Sequence, residues 1–261
     1  MTILRHELRQ GRIAFIIWTG VICAMLALAV FLYPEMKDQM GDMNEMLSSM
    51  GAMTSAFGMD QLDFGSYIGY YALECGNLLG LGGALYAAIT AGAILSSEEK
   101  NRTAEFLLTH PISRTRVVAE KLAAIVVLVI GMDLAIFGVS ILSTVLIGEK
   151  IMLAEMLLLH TAFLIMHLEI GCISFGISAF LRRGGVGIAL GTTVLLYAIG
   201  LLSNITDSVK FLGYVSPFGY CEGADIVKDV KLDGVRIAIG CGIAAVAVLS
   251  AFLRYRKKDI H

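Results

Sequence analysis

Six polar side chains fall inside apolar stretches of this chain, and their types could do chemistry there. His160 and His167 are seven residues apart, so a helix would place both on one face. With a carboxylate from another helix, two imidazoles at this spacing could bind a transition metal or relay protons. The simpler interpretation is hydrogen bonding between helices. The full set is Glu74, Asn77, Asp133, His160, His167 and Glu169.

Polar side chains are costly to bury in lipid, so they normally face the interior of a helix bundle or water. We therefore expect these six to line the route of a transported molecule, with Glu74 and Asp133 as the leading candidates. An intramembrane metalloenzyme that uses His160, His167 and Glu169 is an alternative. The sequence lacks the HExxH spacing that would support such an enzyme.

The elements that must position these side chains are six long apolar stretches. The chain of 261 residues is 57 % hydrophobic and only 16 % charged, with a mean hydropathy of +0.78, which excludes a soluble domain. Lipid offers the backbone no hydrogen bonds, so each span must be helical. The sequence predicts one all-α transmembrane domain over residues 1–261, with no nucleic-acid partner. Its six transmembrane helices cover about 13–33, 66–95, 122–147, 152–181, 186–203 and 235–253.

The basic residues orient this predicted bundle. Of the 20 Lys and Arg residues, 14 fall on one side of the six-span layout, which places both termini in the cytoplasm. The expected location is the cell membrane, as a multi-pass protein of a prokaryotic plasma membrane. Residues 2–12 form a basic amphipathic stretch, and we expect an elbow helix there that anchors on membrane lipids through Arg5, Arg9 and Arg12.

Seven methionines occupy the stretch 35–59, and most of them share one helical face. Thioethers at Met-x-x-Met spacing could bind Cu(I). The simpler interpretation is the apolar underside of a helix that lies on the outer membrane surface. The residues are Met36, Met40, Met43, Met46, Met50, Met53 and Met59.

A dense, charged segment separates the second and third predicted spans. Residues 103–109 have an amphipathic, helical pattern, and Pro111 ends it. The segment 98–114 resembles the first cytoplasmic loop of type-2 ATP-binding-cassette (ABC) transporter permeases. It shares their acidic pair, a hydrophobic run with an internal Glu, Leu-Leu-Thr and Pro-Ile-Ser-Arg, although Arg102 stands where that family usually has Gly. The six-span layout and Ser216-Pro217-Phe218 are also similar to that family.

The resemblance implies that 103–109 is a short cytoplasmic coupling helix that seats in a cleft of a separate ATPase subunit. Thr103 would cap the helix, Phe106 and Leu107 would fill an apolar pocket, and the acidic residues would meet basic residues of the partner. The implied coupling residues are Glu98, Glu99, Thr103, Glu105, Phe106, Leu107, Leu108, Pro111 and Arg114.

The same resemblance implies the permease subunit of an ABC exporter. Two ATPase subunits and a second permease copy or a sister permease would complete the transporter. ATP and Mg would be bound by the ATPase, because this chain has no GxxxxGK[ST] loop, so we expect no cofactor and no enzymatic activity here. A stand-alone ion- or proton-coupled carrier is the alternative. The acidic outer loops favour a cationic or amphipathic cargo.

Overall fold

Helices account for nearly all of the computed structural model, which describes residues 2–48, 52–56, 62–63, 65–97, 113–181, 185–205 and 207–257. No strand occurs among these residues. The α-helices are α1 (Thr2–Ser48), α2 (Ala52–Ala56), α3 (Tyr67–Cys75), α4 (Gly82–Gly92), α5 (Arg114–Leu146), α6 (Leu153–Phe180), α7 (Gly185–Ile205), α8 (Gly223–Asp229) and α9 (Gly234–Lys257). A π-helical turn, Gly76–Leu81, joins α3 to α4, and two 3-10 helices, Asp207–Tyr214 and Pro217–Tyr220, precede α8.

Within the described part of the chain, six helical segments are long and apolar enough to cross a membrane, and each overlaps one predicted span. The shortest has 21 residues, which suffices for a hydrocarbon core of about 30 Å. The all-α, six-span fold class is therefore confirmed. The crossings are Ile3–Lys37, Tyr67–Gly92, Arg114–Leu146, Leu153–Phe180, Gly185–Ile205 and Gly234–Lys257.

Both terminal helices reach the same end of the bundle. Ile3 near the start of α1 packs in one buried cluster with Leu95 after α4, Val117 at the start of α5, and Tyr255 near the end of α9. We call this the basal end, and the opposite end the distal end. The described residues that precede and follow the segment 98–112 both lie at the basal end. That this end faces the cytoplasm stays a prediction from the basic residues.

The first helix, α1, runs without a break from Thr2 to Ser48. The elbow helix expected over residues 2–12 stays a prediction. Arg5, Arg9 and Arg12 are exposed on its first turns, and their anchoring role stays a prediction. At the other end, residues 35–48 continue α1 beyond Pro34. That the Met-rich stretch lies on the outer membrane surface stays a prediction. The side chains of 38–53 lie outside the described residues.

Helices α4 and α7 approach each other closely through two glycines. A Cβ atom at Gly185 would overlap the backbone carbonyl of Gly92, and a Cβ atom at Gly92 would crowd the side chain of Ala189. Gly187, one half-turn further along α7, faces open space. Small residues let membrane helices pack at backbone distance, so Gly92 and Gly185 set how closely the second and fifth crossings approach.

We expect Gly185→Ala to destabilise the bundle by about 1–3 kcal/mol, because the added methyl group must push the two helices apart. Thermal unfolding in detergent micelles measures the loss. Gly187→Ala is the matched control, since it has the same effect on helix propensity but meets no neighbour. Equal unfolding temperatures for the two variants would contradict the close contact.

Candidate functional site

The structure joins two of the predicted polar residues directly. His167 on α6 faces Asp133 on α5, with its Nδ1 atom 3.0 Å and 3.1 Å from the two carboxylate oxygens. Their side chains are 0 % and 3 % exposed. The other ring nitrogen, Nε2, is 3.3 Å from the backbone carbonyl of Gly80, which belongs to the π-helical turn. This imidazole therefore links the second, third and fourth crossings.

The local sequence makes room for that imidazole. Gly83, at the start of α4, has no side chain, and a Cβ atom there would overlap the His167 ring. The ring of Phe163, one turn earlier on α6, stacks on His167 with centroids 6.4 Å apart. A π-helical turn is wider than an α-helical one and is often found at functional sites. Here it presents the Gly80 carbonyl to α6.

The second histidine has a separate set of partners. The Nε2 atom of His160 lies 2.6 Å from the hydroxyl of Tyr71 and 3.9 Å from the thiol of Cys75, both on α3. Its ring meets the Phe137 ring edge-on at 4.9 Å. Among the described residues its Nδ1 atom has no hydrogen-bond partner. His160 therefore ties α6 to α3, and hydrogen bonding between helices is the interpretation that the structure supports for both histidines.

The third buried group, Glu169, lies on another face of α6. The hydroxyl of Tyr220 donates a hydrogen bond of 2.8 Å to its carboxylate. Burial raises the pKa of Tyr220 above its usual range, so the phenol keeps its proton and acts as the donor. Gly240 on α9 leaves space for the carboxylate, because a Cβ atom there would overlap it.

Tyr220 reaches this position because the predicted Ser-Pro-Phe motif forms a fixed turn. The hydroxyl of Ser216 caps the 3-10 helix by accepting from the Phe218 N–H at 3.3 Å, and it donates to the Leu196 carbonyl at 2.7 Å. The guanidinium of Arg236 donates to the carbonyl of Gly219. These bonds hold the segment before the last crossing against α7 and α9.

The remaining two predicted residues lie apart from the buried pairs. Glu74 is half-buried and Asn77 is exposed. Asn77 lines a cavity of about 70 Å³ near the distal end, together with Asn204 and Glu222, whose side chains are hydrogen-bonded at 2.5 Å. Ligand pockets usually have about 300–1,000 Å³. The cavity can hold a few water molecules but not a cargo molecule.

The metalloenzyme alternative is wrong for the residues on which it was based. His160, His167 and Glu169 each face a different partner, and Glu169 lies on another face of α6. Within the described part of the chain, no group of three or more His, Cys, Asp or Glu side chains could hold a metal ion. The Cu(I) hypothesis concerns methionine side chains that fall almost entirely outside the described residues.

A set of polar contacts at the basal end joins the start of α5 to both terminal helices. The carboxylate of Glu120 accepts from the backbone N–H groups of Ile3 and Leu4, each at 3.1 Å. The ammonium of Lys121 pairs with Glu7 at 2.5 Å, with side chains only 0 % and 10 % exposed. We call the contacts of Arg114, Glu120 and Lys121 the basal clamp.

Arg114 supplies the third connection of this clamp. Its guanidinium donates to the backbone carbonyls of Tyr255 and Arg256, at 3.5 Å and 3.3 Å, in the last turn of α9. The hydroxyl of Ser113 caps α5 by accepting from the Arg116 N–H at 3.3 Å. Apart from Arg114, the predicted coupling residues, all within 98–111, lie outside the described residues. The clamp begins immediately after them.

A family model described as ABC-2 family transporter protein matches residues 1–260. The chain belongs to the ABC-2 family. No curated protein matches its sequence. This ABC-2 permease is a multi-pass membrane protein and the transport subunit of an ABC transporter, and it is not itself catalytic. Permeases of this family are generally paired with an ABC ATPase subunit.

Sequence reasoning missed the partners of the buried groups, although part of the signal was present. Tyr67, Tyr71 and Cys75 recur at every fourth position of α3, so they share one face. Tyr67 bonds Thr144 at 2.6 Å and Tyr71 bonds His160, so this face carries a ladder of polar contacts from the distal end inward. No comparable local pattern indicates that Glu7 pairs with Lys121, which is 114 residues away.

We expect Lys121→Met to destabilise the permease by about 3–5 kcal/mol, because it leaves the Glu7 carboxylate buried without its cation. The double variant Lys121→Met/Glu7→Gln should recover most of this loss, since neither charge remains. Unfolding in detergent micelles measures both.

Lys37→Met is the control, because it breaks a pair with Glu149 whose side chains are 48 % and 26 % exposed. Such a surface pair contributes about 0–1 kcal/mol. A Lys121→Met variant as stable as the Lys37→Met control would contradict the clamp.

Proposed function

We propose that this ABC-2 permease exports a substrate with energy from ATP hydrolysed on a separate ATPase subunit that docks on residues 98–114. The basal clamp is the observation that carries this proposal. If the ATPase subunit moves the docking segment, that segment needs a rigid connection to the transmembrane helices that change position. The clamp supplies one, because α5 starts directly after the segment and is bonded to α1 and α9.

The clamp transmits movement better than apolar packing alone would. Lys121 with Glu7 and Glu120 with two backbone N–H groups are charge-assisted hydrogen bonds, which are stronger than neutral ones. If the helices separated at these contacts, the buried charged groups would be exposed to lipid. Movement of the docking segment is therefore passed to the first, third and last crossings together.

The complete transporter in this proposal contains two ATPase subunits and a second permease, either another copy or a sister chain. ATP and Mg are bound by the ATPases. Closure of the ATPase pair moves both docking segments, and the bundles open towards the other side of the membrane. The cargo proposed from the sequence is cationic or amphipathic. The carboxylate of Glu222 and the amide of Asn77 at the distal cavity are groups that would contact a cation on its way out.

A stand-alone ion- or proton-coupled carrier is the alternative function, although membership of the ABC-2 family counts against it. The buried pair of Asp133 and His167 favours it, because such pairs occur in proton relays. The two candidates differ in one requirement, since the carrier would transport without an ATPase.

Docking is tested by the double variant Glu105→Gln/Phe106→Ala in cells that also produce the cognate ATPase. We expect the ATPase to be lost from the purified complex and transport to fall more than tenfold, because the apolar anchor and its neighbouring charge are both removed. Co-purification and transport into vesicles are the two measurements.

Phe211→Ala is the matched control, because Phe211 is an exposed phenylalanine in the 3-10 helix that precedes Ser216, away from the basal end. It should leave both quantities unchanged. Transport by the double variant at the level of this control, with no ATPase bound, would overturn the proposal and support the carrier.

A further inference from the structure

We propose that two arginine–aromatic pairs on α9, Arg236 with Tyr214 and Arg254 with Phe180, lie in the two headgroup layers of the bilayer and bind phospholipids there. The pairs would fix the depth of the last crossing in the membrane. The proposal goes beyond export and does not depend on the ATPase. It rests on the distance between the pairs, the exposure of their rings and the apolar surface that separates them.

Each pair places a guanidinium group over an aromatic ring from a neighbouring element. The Cζ atom of Arg236 lies 5.3 Å from the ring centroid of Tyr214, which ends the first 3-10 helix. The Cζ atom of Arg254 lies 6.0 Å from the ring centroid of Phe180, which ends α6. Both are cation–π distances. The rings are still open to their surroundings, since Tyr214 is 43 % and Phe180 is 55 % exposed.

The distance between the pairs matches the thickness of a membrane. Arg236 and Arg254 are eighteen residues apart on one continuous helix, which corresponds to about 27 Å along its axis. The hydrocarbon core of a typical bilayer is about 30 Å thick. Arginine side chains can extend their charged ends towards water while their methylene groups stay on apolar surface, which adds a few ångströms. When one pair lies in one headgroup layer, the other pair therefore lies in the opposite layer.

The surface of α9 between the two pairs is suited to contact with hydrocarbon chains. No charged residue occurs from 237 to 253. Exposed side chains of this stretch include Ile239, Val246 and Leu249. The hydroxyl of Ser250 donates within the helix to the Val246 carbonyl at 2.7 Å, so it does not need water. Among the six crossings identified in the described residues, α9 has the smallest buried share, and lipid therefore has the most access to it.

The two pairs offer different groups to a phospholipid. The guanidinium of Arg236 is already bonded to the Gly219 carbonyl, and its Nε atom lies 3.2 Å from the carboxylate of Asp233. Tyr214 is therefore the main lipid contact at the distal end, and tyrosine is enriched at membrane–water boundaries. Arg254 is exposed at the basal end, where its guanidinium can bind a lipid phosphate through parallel N–H groups.

The position of Tyr214 also determines the depth of the turn that follows it. The hydroxyl of Ser216 reaches the carbonyl of Leu196, nine residues before the end of α7, so the chain continues from Tyr214 towards the middle of the bundle. In this proposal the turn lies within the hydrocarbon layer of the distal leaflet. Irregular backbone is tolerated there only when it is buried in protein or lines a water-filled cavity, and the hydrogen bonds of Ser216 and Arg236 hold the turn in the bundle.

Tryptophan fluorescence of the full-length chain in lipid vesicles tests both positions. The chain has one tryptophan, so in a Trp18→Phe background the variants Tyr214→Trp and Phe180→Trp each carry a single reporter. The vesicles contain phosphatidylcholine that is brominated either near the headgroup end or near the methyl end of its acyl chains. We expect the bromine near the headgroups to quench both reporters at least about twofold more strongly.

Two exposed positions calibrate the measurement. Val246→Trp, in the middle of α9, should show the opposite preference. Lys231→Trp, in the segment before α9, should be quenched by aqueous acrylamide but by neither brominated lipid. Val235→Trp and Leu253→Trp, at exposed positions beside the two arginines, give the same reading where a ring replacement does not fold.

A reporter at either pair that behaves like Lys231→Trp or like Val246→Trp would overturn the proposal, because that pair would lie in water or in the middle of the hydrocarbon core. Protection from both brominated lipids and from acrylamide would overturn it as well, since a second permease or another protein would then cover the pair.

Discussion

Lipid offers no hydrogen bonds, so polar groups of this permease inside the membrane are stabilised by partners within the protein. The backbone meets this requirement by forming helices. Hydroxyl groups meet it within their own helix, as when Ser140 and Thr144 donate to carbonyls four residues earlier. Ionisable side chains cannot be satisfied locally, so they bond between crossings. The few interhelical polar contacts are consequently the points at which the crossings are joined.

Those contacts fall at two levels with different consequences. Near the basal end, the basal clamp ties α5 to α1 and α9 through buried charge, beside the segment that resembles a coupling helix. Deeper in the bundle, His167 and His160 tie α6 to the second and third crossings, and Glu169 ties it to the segment before α9. In the mechanism we propose, movement that enters at the basal end is distributed by the clamp, while the inner contacts determine which crossings can separate.

The sequence predicted the crossings well because the signal for them is local. A run of about twenty apolar residues can only be a span. It also predicted that the buried histidines and carboxylates would need partners, but not which ones. Lys121 was counted only among the basic residues that orient the bundle, and Glu120 was given no role. Their partners, within residues 3–7, are over a hundred residues away in sequence. The π-helical turn could not be predicted, because its sequence does not differ from that of a Gly-rich α-helix. The first predicted span ends at residue 33, yet α1 continues beyond Pro34 to Ser48.

The central claim is that the basal clamp moves as one body when the ATPase acts. Double electron–electron resonance between spin labels at Thr115→Cys and Lys257→Cys, at the start of α5 and the end of α9, would measure this. The exposed Cys241 would be replaced by Ser. In the purified complex with its ATPase, the distance within one chain should stay constant when ATP is added, while the distance between the Thr115→Cys sites of the two permeases changes. A change in the first distance, with the second unaltered, would contradict the account.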